Sequence, residues 1–417
     1  MSLEVRTIDE SEFPEWLRAR RVGFLRPPMA VTGEEVADKL PHTDLSRTRA
    51  AFERGRIVAT FRSFDQRLST VGGADLAADA VTNVTVAATH RRRGLLSRMM
   101  ADDLASAKER GDACASLIAA EYPIYGRYGF GAAAWITEWE IDVTRSGFDR
   151  RWSGPTAEEG GGRVDFSDGA EIREVGPALH RALAARRAGI TGRTARDWDV
   201  VTGDVHHTDP WTEPFHAVYR AASGEPEGYV TYTTEDRWND NKQPANTASV
   251  RELVAVSPAA ERALWRFVCS VDWVTRVKSG YRAPDDVLPL LLPDPRAARV
   301  LTHADMLWLR ILDVPKVFEP RTYATEGALV LEVKDAAGYA GGRYLLETTP
   351  ERGHCAPTTA APELVLDVAD LATLALGDES AVRLAALGRV EEAVAGAAAK
   401  TDLLLRTSPR PWSMEYF

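Results

Sequence analysis

The pattern of apolar and polar positions changes abruptly near residue 90. Val81, Thr82, Val84, Thr85 and Val86 are β-branched and suit a pleated strand. From Leu95 onward, Leu95, Leu96, Met99, Met100, Leu104 and Ala107 recur at helical spacing. Arg91-Arg92-Arg93-Gly94 lies between, so a strand runs through a basic turn into a helix. The pattern predicts further strands near Leu3–Ile8, Arg49–Glu53, Ile57–Ser63, Gln66–Val71, Ala113–Ala119 and Ala133–Val143. An amphipathic helix is expected through Trp16 and Leu17, and the whole describes an α+β unit over residues 1–148. The polar stretch Arg151–Gly169, with Gly160-Gly161-Gly162, reads as a linker.

Residues 149–299 repeat this layout. A helix is expected near Pro177–Gly189, with strands at Phe215–Ala222 and Gly228–Thr234. Val250–Ser257 then runs into a helix through Leu264, Phe267 and Val268. At the matching turn stand Ala259, Ala260 and Glu261, and Glu261 would repel a phosphate, so this copy reads as structural and without a cofactor. Residues 300–417 form a third unit. Leu329–Val333 and Arg343–Glu347 suggest a hairpin and Leu364–Val368 another strand. Helices are expected at Asp370–Leu376, at Ala381–Leu387 and from Glu391 towards Leu404.

Composition narrows the function. A chain of 417 residues exceeds one ordinary core, in keeping with two or three domains. The net charge of −10 argues against non-specific nucleic-acid binding. Cys114, Cys269 and Cys355 are scattered and odd in number, which fits a reducing cytoplasm and no disulfide framework. No histidine or cysteine cluster has ligand spacing, so no metal is implied. No apolar run approaches membrane-spanning length, so no membrane association is expected.

The chemistry lies at the basic turn. N–H groups at a helix N-terminus point outward unpaired, and the helix dipole favours an anion there. With three arginines alongside, the turn suits a pyrophosphate. It lacks the Gly-Lys-Ser/Thr ending of a Walker loop and the Gly-x-Gly-x-x-Gly of a dinucleotide site. Arg91-x-x-Gly94-x-Leu96 after a strand instead resembles the acetyl-CoA motif of the GCN5-related N-acetyltransferases (GNAT). His90-Arg-Arg-Arg-Gly-Leu-Leu96 resembles the Eis (enhanced intracellular survival) branch of that superfamily. Leu96 departs from the Gly or Ala usual at its position.

The resemblance implies two GNAT-like mixed-sheet domains, the second degenerate, and a sterol-carrier-like C-terminal α/β domain. It implies acetyl-CoA as co-substrate, with backbone groups of Val84 and Val86 on the pantetheine arm and Arg91, Arg92, Gly94 and Leu95 at the pyrophosphate. Glu121-Tyr-Pro-Ile-Tyr125-Gly-Arg-Tyr-Gly-Phe-Gly131 resembles the family's acid segment, which makes Tyr125 the general acid. An ordinary phenol, with a pKa near ~10, stays protonated at neutral pH and can serve a departing thiolate. The chain ends Trp412-Ser-Met-Glu-Tyr-Phe417, whose rings should be buried, and the resemblance makes the Phe417 α-carboxylate the general base. Glu121 and Glu415 are side-chain alternatives for the base.

Primary amines, aminoglycoside-like or lysine-like, are the implied acceptors, and a homohexamer the implied assembly. Phe24, Arg26 and Asn83 are expected to shape the acceptor pocket, where Arg26 would repel a cation. Two other readings stand: a lipid-binding or scaffolding protein with a vestigial site, and a transferase of longer acyl chains.

Overall fold

The computed structural model describes residues 3–145, 148, 161–206 and 211–417. The first region opens with β1 (Glu4–Thr7), α1 (Phe13–Gly23), α2 (Gly33–Lys39), β2 (Thr48–Glu53), β3 (Arg56–Ser69) and β4 (Asp75–Val86). It closes with α3 (Leu95–Arg110), β5 (Cys114–Ile118), the one-turn α4 (Tyr122–Tyr125) and β6 (Gly131–Asp142). The second region holds β7 (Arg163–Ser167), α5 (Gly169–Ala184), α6 (Ala195–Val201), β8 (Phe215–Arg220) and β9 (Pro226–Glu235). β10 (Asn246–Ala255), α7 (Pro258–Cys269), β11 (Val274–Lys278) and β12 (Ala298–Ile311) follow. The third region contains α8 (Val314–Phe318), β13 (Gly327–Lys334), β14 (Gly342–Thr348), β15 (Gly353–Pro357) and β16 (Leu364–Asp367). It ends with α9 (Val368–Ala375), α10 (Ala381–Ala386), β17 (Val390–Glu392) and α11 (Ala397–Leu405).

The first two regions share one twelve-stranded sheet, ordered β1-β2-β3-β4-β5-β12-β6-β11-β10-β9-β8-β7. β12 inserts between β5 and β6, antiparallel to both, with Leu307 opposite Ile118 and His303 opposite Thr137. A boundary at residues 299/300 therefore cuts a strand: residues from Leu301 to Ile311 belong to the large sheet and not to the third unit. The third region forms its own five-stranded sheet, β15-β14-β13-β16-β17. One apolar core runs from Leu68, Leu76 and Ala133 through Leu307 and Leu309 to Leu331, Leu366 and Leu371, so this region is welded to the sheet.

Several local expectations change. The strands expected at Ile57–Ser63 and Gln66–Val71 are one strand, β3, because its pairing with β4 runs unbroken through Phe64 and Asp65. β4 begins six residues before Val81. Part of the expected linker, Arg163–Ser167, is a strand paired with β8, while residues 151–160 lie outside the described residues. Pro177 sits inside α5 instead of starting it. The segment from Glu391 contains the short strand β17 before α11 begins at Ala397.

Candidate active site

The sheet opens where the motif begins. β4 pairs with β5 only from Ala78 to Ala80, while its pairing with β3 continues to Val86. Beyond Ala80 the β5-facing edge of β4, including Val84 and Val86, looks into a cleft. Between the pairs Thr60–Thr85 and Arg62–Thr82, β4 carries Asn83 and Val84 opposite the single residue Phe61 of β3, a bulge in β4. Asn83 adopts φ +54°, and its carbonyl accepts from the Thr60 hydroxyl at 2.8 Å. Asn83 thus shapes β4 through its backbone, and it lines neither of the two cavities described below.

The cleft continues into a cavity of ≈ 730 Å³ bounded by Val84, Val86, Arg91, Arg92, Leu95 and Tyr125. Gly94 also borders it and takes φ +75°, a left-handed conformation that a glycine adopts without strain. No side chain caps α3 at Gly94, and the first intrahelical bond runs from Arg98 N–H to the Gly94 carbonyl at 3.1 Å. The amides before Arg98 are left for an anion. The three arginines differ. Arg93 reaches Glu53 at 3.0 Å, and His90 meets the other Glu53 oxygen at 3.0 Å, which ties the turn to β2. Arg91 and Arg92 have no ion pair among the described residues and border the cavity. The Glu53 clamp escaped sequence reasoning, since Glu53 lies 37 residues before His90. In the second copy the Ser257 hydroxyl accepts from Ala260 N–H at 3.2 Å, so protein already occupies that helix start.

Tyr125 ends α4 beneath this turn. Its ring is 8 % exposed and packs edge-on against Phe130, with centroids 6.1 Å apart. Burial, helped by Tyr128 and Glu121, pushes the phenol up to about 12, so it holds its proton well past neutrality. Glu121 precedes α4 and lines the same cavity, as do Phe24 and Ala120. Ser97 and Tyr128 join across this mouth at 3.0 Å, a contact that sequence reasoning missed.

A second cavity, ≈ 370 Å³, lies between the N-terminal part of α1, β3 and the start of the second region. α1 contributes to both walls: Phe13, Trp16, Leu17 and Arg20 line this cavity, and Gly23 lines the first. The C-terminal segment enters here. Trp412 is buried and Phe417 packs edge-on against Phe64 at 5.7 Å, but Tyr416 is 79 % exposed, so the terminal rings are only partly buried. Glu415 is committed to structure. It accepts from Arg193 at 2.8 Å and meets His180 at 3.3 Å. Burial alone would raise its pKa, yet the His180 hydrogen bond and the Arg193 charge hold it below the usual carboxylate range. Its carboxylate is thus engaged within the fold. Arg26 is exposed and lines neither cavity, although its charge is felt at Arg20.

Comparison with known proteins accounts for this architecture. Models of the acetyltransferase (GNAT) domain match residues 4–133 and 189–311, and a sterol carrier protein domain model matches residues 314–414. The opened sheet and uncapped arginine turn are those of a GNAT acyltransferase, and the chain is an N-acetyltransferase of that class. It is 59% identical to an uncharacterized N-acetyltransferase of Streptomyces griseus, over 100% of both chains. It is also 35% identical to N-acetyltransferase Eis of Mycobacterium tuberculosis, over 78% of this chain and 77% of that one. Eis1 of Mycobacterium abscessus superposes with a TM-score of 0.85 at 28% identity, covering 99% of this chain and 100% of its own. The chain belongs to the Eis family of GNAT N-acetyltransferases.

Proposed function

We propose that the protein transfers acetyl from acetyl-CoA directly to a primary amine, with Tyr125 as general acid and the Phe417 α-carboxylate as general base. The observation that carries this reading is the paired arrangement about α1. A cationic turn and a protonated phenol border one cavity, and the chain terminus enters its neighbour.

In the reaction the amine nitrogen attacks the thioester carbonyl and gives its proton to the terminal carboxylate. The carbon–sulfur bond breaks, and the thiolate takes the Tyr125 proton, leaving an amide and CoA thiol. Backbone groups of Val84 and Val86, unpaired on the β5 side, suit the pantetheine arm and the developing oxyanion. Arg91, Arg92 and the Leu95 amide suit the pyrophosphate. Direct transfer is supported by the cysteines. All three are buried, and burial pushes Cys114, Cys269 and Cys355 each up to about 12, so none offers an acyl-accepting thiolate.

The intact turn and cleft favour transfer over a vestigial site. Thiol release from acetyl-CoA with a panel of amines tests the reading, alongside a chain lacking Phe417. Loss of turnover with retained acetyl-CoA binding is the expected result for the shortened chain. Full turnover without Phe417 would remove the terminal carboxylate from the mechanism.

A further inference from the structure

The second cavity has an unexpected charge for a protein of net charge −10. Its wall carries five arginine and lysine side chains against three carboxylate side chains and the Phe417 α-carboxylate. The three acids are already engaged within the fold. Asp38 pairs with Arg196, Glu415 with Arg193, and Asp197 accepts from the Thr194 amide and hydroxyl at 2.8 and 2.7 Å. Arg20 and Arg62 differ from their neighbours: among the described residues neither has an ion-pair partner.

Arg62 projects from β3, donates one bond from Nη2 to the His42 carbonyl at 3.1 Å, and leaves its buried Nε without an acceptor. Its guanidinium lies 5.6 Å from the centre of the Phe64 ring, the same ring that Phe417 touches. Arg20 comes from α1, its guanidinium 6.0 Å from the Trp16 ring. Burial lowers the pKa of both, and the charge of Arg20 lowers that of Arg62 further. Two like charges turned towards one cavity, with an unused buried donor, form a site that an anion would complete.

We infer that the acceptor amine carries a carboxylate or phosphate group, which Arg20 and Arg62 hold while its nitrogen faces the acetyl group. This rests on the transferase reading above and names its substrate class. A polycationic acceptor would be repelled by the same pair. The cavity volume suits a small molecule. One rival explanation lies on the same wall: the arginines could serve the Phe417 carboxylate, which would then be lost as a base.

The full-length protein is assayed for thiol release with pentylamine, aminohexanoate, aminopentyl phosphate and diaminopentane, which share one alkyl arm. For wild type, kcat/KM for an anionic amine should exceed that for pentylamine by about 10- to 100-fold, the scale of charge-assisted hydrogen bonds. Diaminopentane should fall at or below pentylamine. The better of the two anionic amines identifies the group as carboxylate or phosphate. Arg62→Met and, separately, Arg20→Met should each reduce the ratio of anionic to neutral amine about tenfold. Wild-type rates that are equal across the panel, or highest for diaminopentane, overturn the inference without touching the transferase reading. A uniform fall for all amines in both variants, with the ratio intact, also overturns it and assigns the pair to the terminus. No thiol release with any amine defeats the transferase reading and this one with it.

Discussion

Replacing Tyr125 by Phe isolates one proton. The ring remains, so its packing against Phe130 and its place beneath the arginine turn are kept. Among the described residues the hydroxyl has no hydrogen-bond partner, so folding should lose less than about 1 kcal/mol. Under the proposed mechanism the chemical step loses its acid. General acids contribute about 10²- to 10⁴-fold, or about 3–5 kcal/mol of barrier. We expect kcat for thiol release to fall by that factor while KM for acetyl-CoA moves less than about threefold. The pH dependence gives a sharper test. A free thiol has a pKa near ~8.5, so the departing thiolate needs a proton at neutral pH and progressively less above that value. Tyr125, raised to about 12 by burial, stays protonated throughout this range. The wild-type to variant ratio should therefore shrink as pH rises through about 8.5. A decrease below tenfold at neutral pH, or a ratio that does not change with pH, would refute the assignment.

Two further outcomes follow from particular contacts. Arg91→Ala combined with Arg92→Ala should raise KM for acetyl-CoA at least about tenfold with little change in kcat, whereas an acetyl thioester truncated at the pantetheine, which lacks the pyrophosphate, should lose little; steady-state kinetics with both donors checks this. Asp103 and Asp79 are fully buried together, and burial followed by the Asp79 charge raises the Asp103 pKa despite Arg49 at 2.6 Å. A carboxyl raised in the fold stabilises below the unfolded value of about 3.9 and loses that contribution as pH climbs towards the raised value, at up to about 1.4 kcal/mol per pH unit. Asp103→Asn should flatten this slope, so thermal unfolding midpoints of variant and wild type should diverge between mildly acidic and neutral pH. A constant difference would show that the pair does not share a proton.

The elements around residue 90 are more legible in the sequence than the long-range pairing of the sheet, for physical reasons. Strand, arginine turn and helix are adjacent in the chain, so local period and charge suffice to read them as consecutive elements with Arg91, Arg92 and Gly94 at the junction. The Tyr125 segment is equally local. What escaped depends on partners far along the chain. The sequence places Leu301–Ile311 at the start of the third unit, and only the pairing of this segment with Ser116 and Ile136 across long separations assigns it to the large sheet. Ser63-Phe64-Asp65 looks like a break in alternation, yet cross-strand partners in β4 hold it extended. Arg20 and Arg62 went unnoticed because single arginines at unrelated positions carry no signal until α1 packs on β3.

That long-range pairing also joins the third region to the turn after Tyr125, through Arg310 of β12. Its side chain is fully buried, and Nε donates to the Tyr128 carbonyl at 2.8 Å. Nη2 donates to Asp335 Oδ1 at 2.7 Å, and Asp335 in turn accepts from the amides of Ala337 and Ala340. Gly129 packs so closely here that a Cβ would lie 2.6 Å from Arg310 Nε. One guanidinium therefore joins the turn after Tyr125 to the loop between β13 and β14. Asp335→Asn leaves the buried cation unneutralised and should cost about 3–5 kcal/mol of stability, while loosening the Tyr125 turn enough to lower kcat. Arg310→Met should cost stability too, by freeing the Tyr128 carbonyl and leaving the buried Asp335 carboxylate with only the Ala337 and Ala340 amides. If the two side chains act as a pair, the double variant should be more stable than the sum of the single losses implies, by about 1–3 kcal/mol. Denaturant unfolding of the four proteins measures that coupling. Strictly additive losses would mean that Arg310 and Asp335 act independently, and the sterol-carrier-like region would then be a cover for the sheet with no hold on the Tyr125 turn.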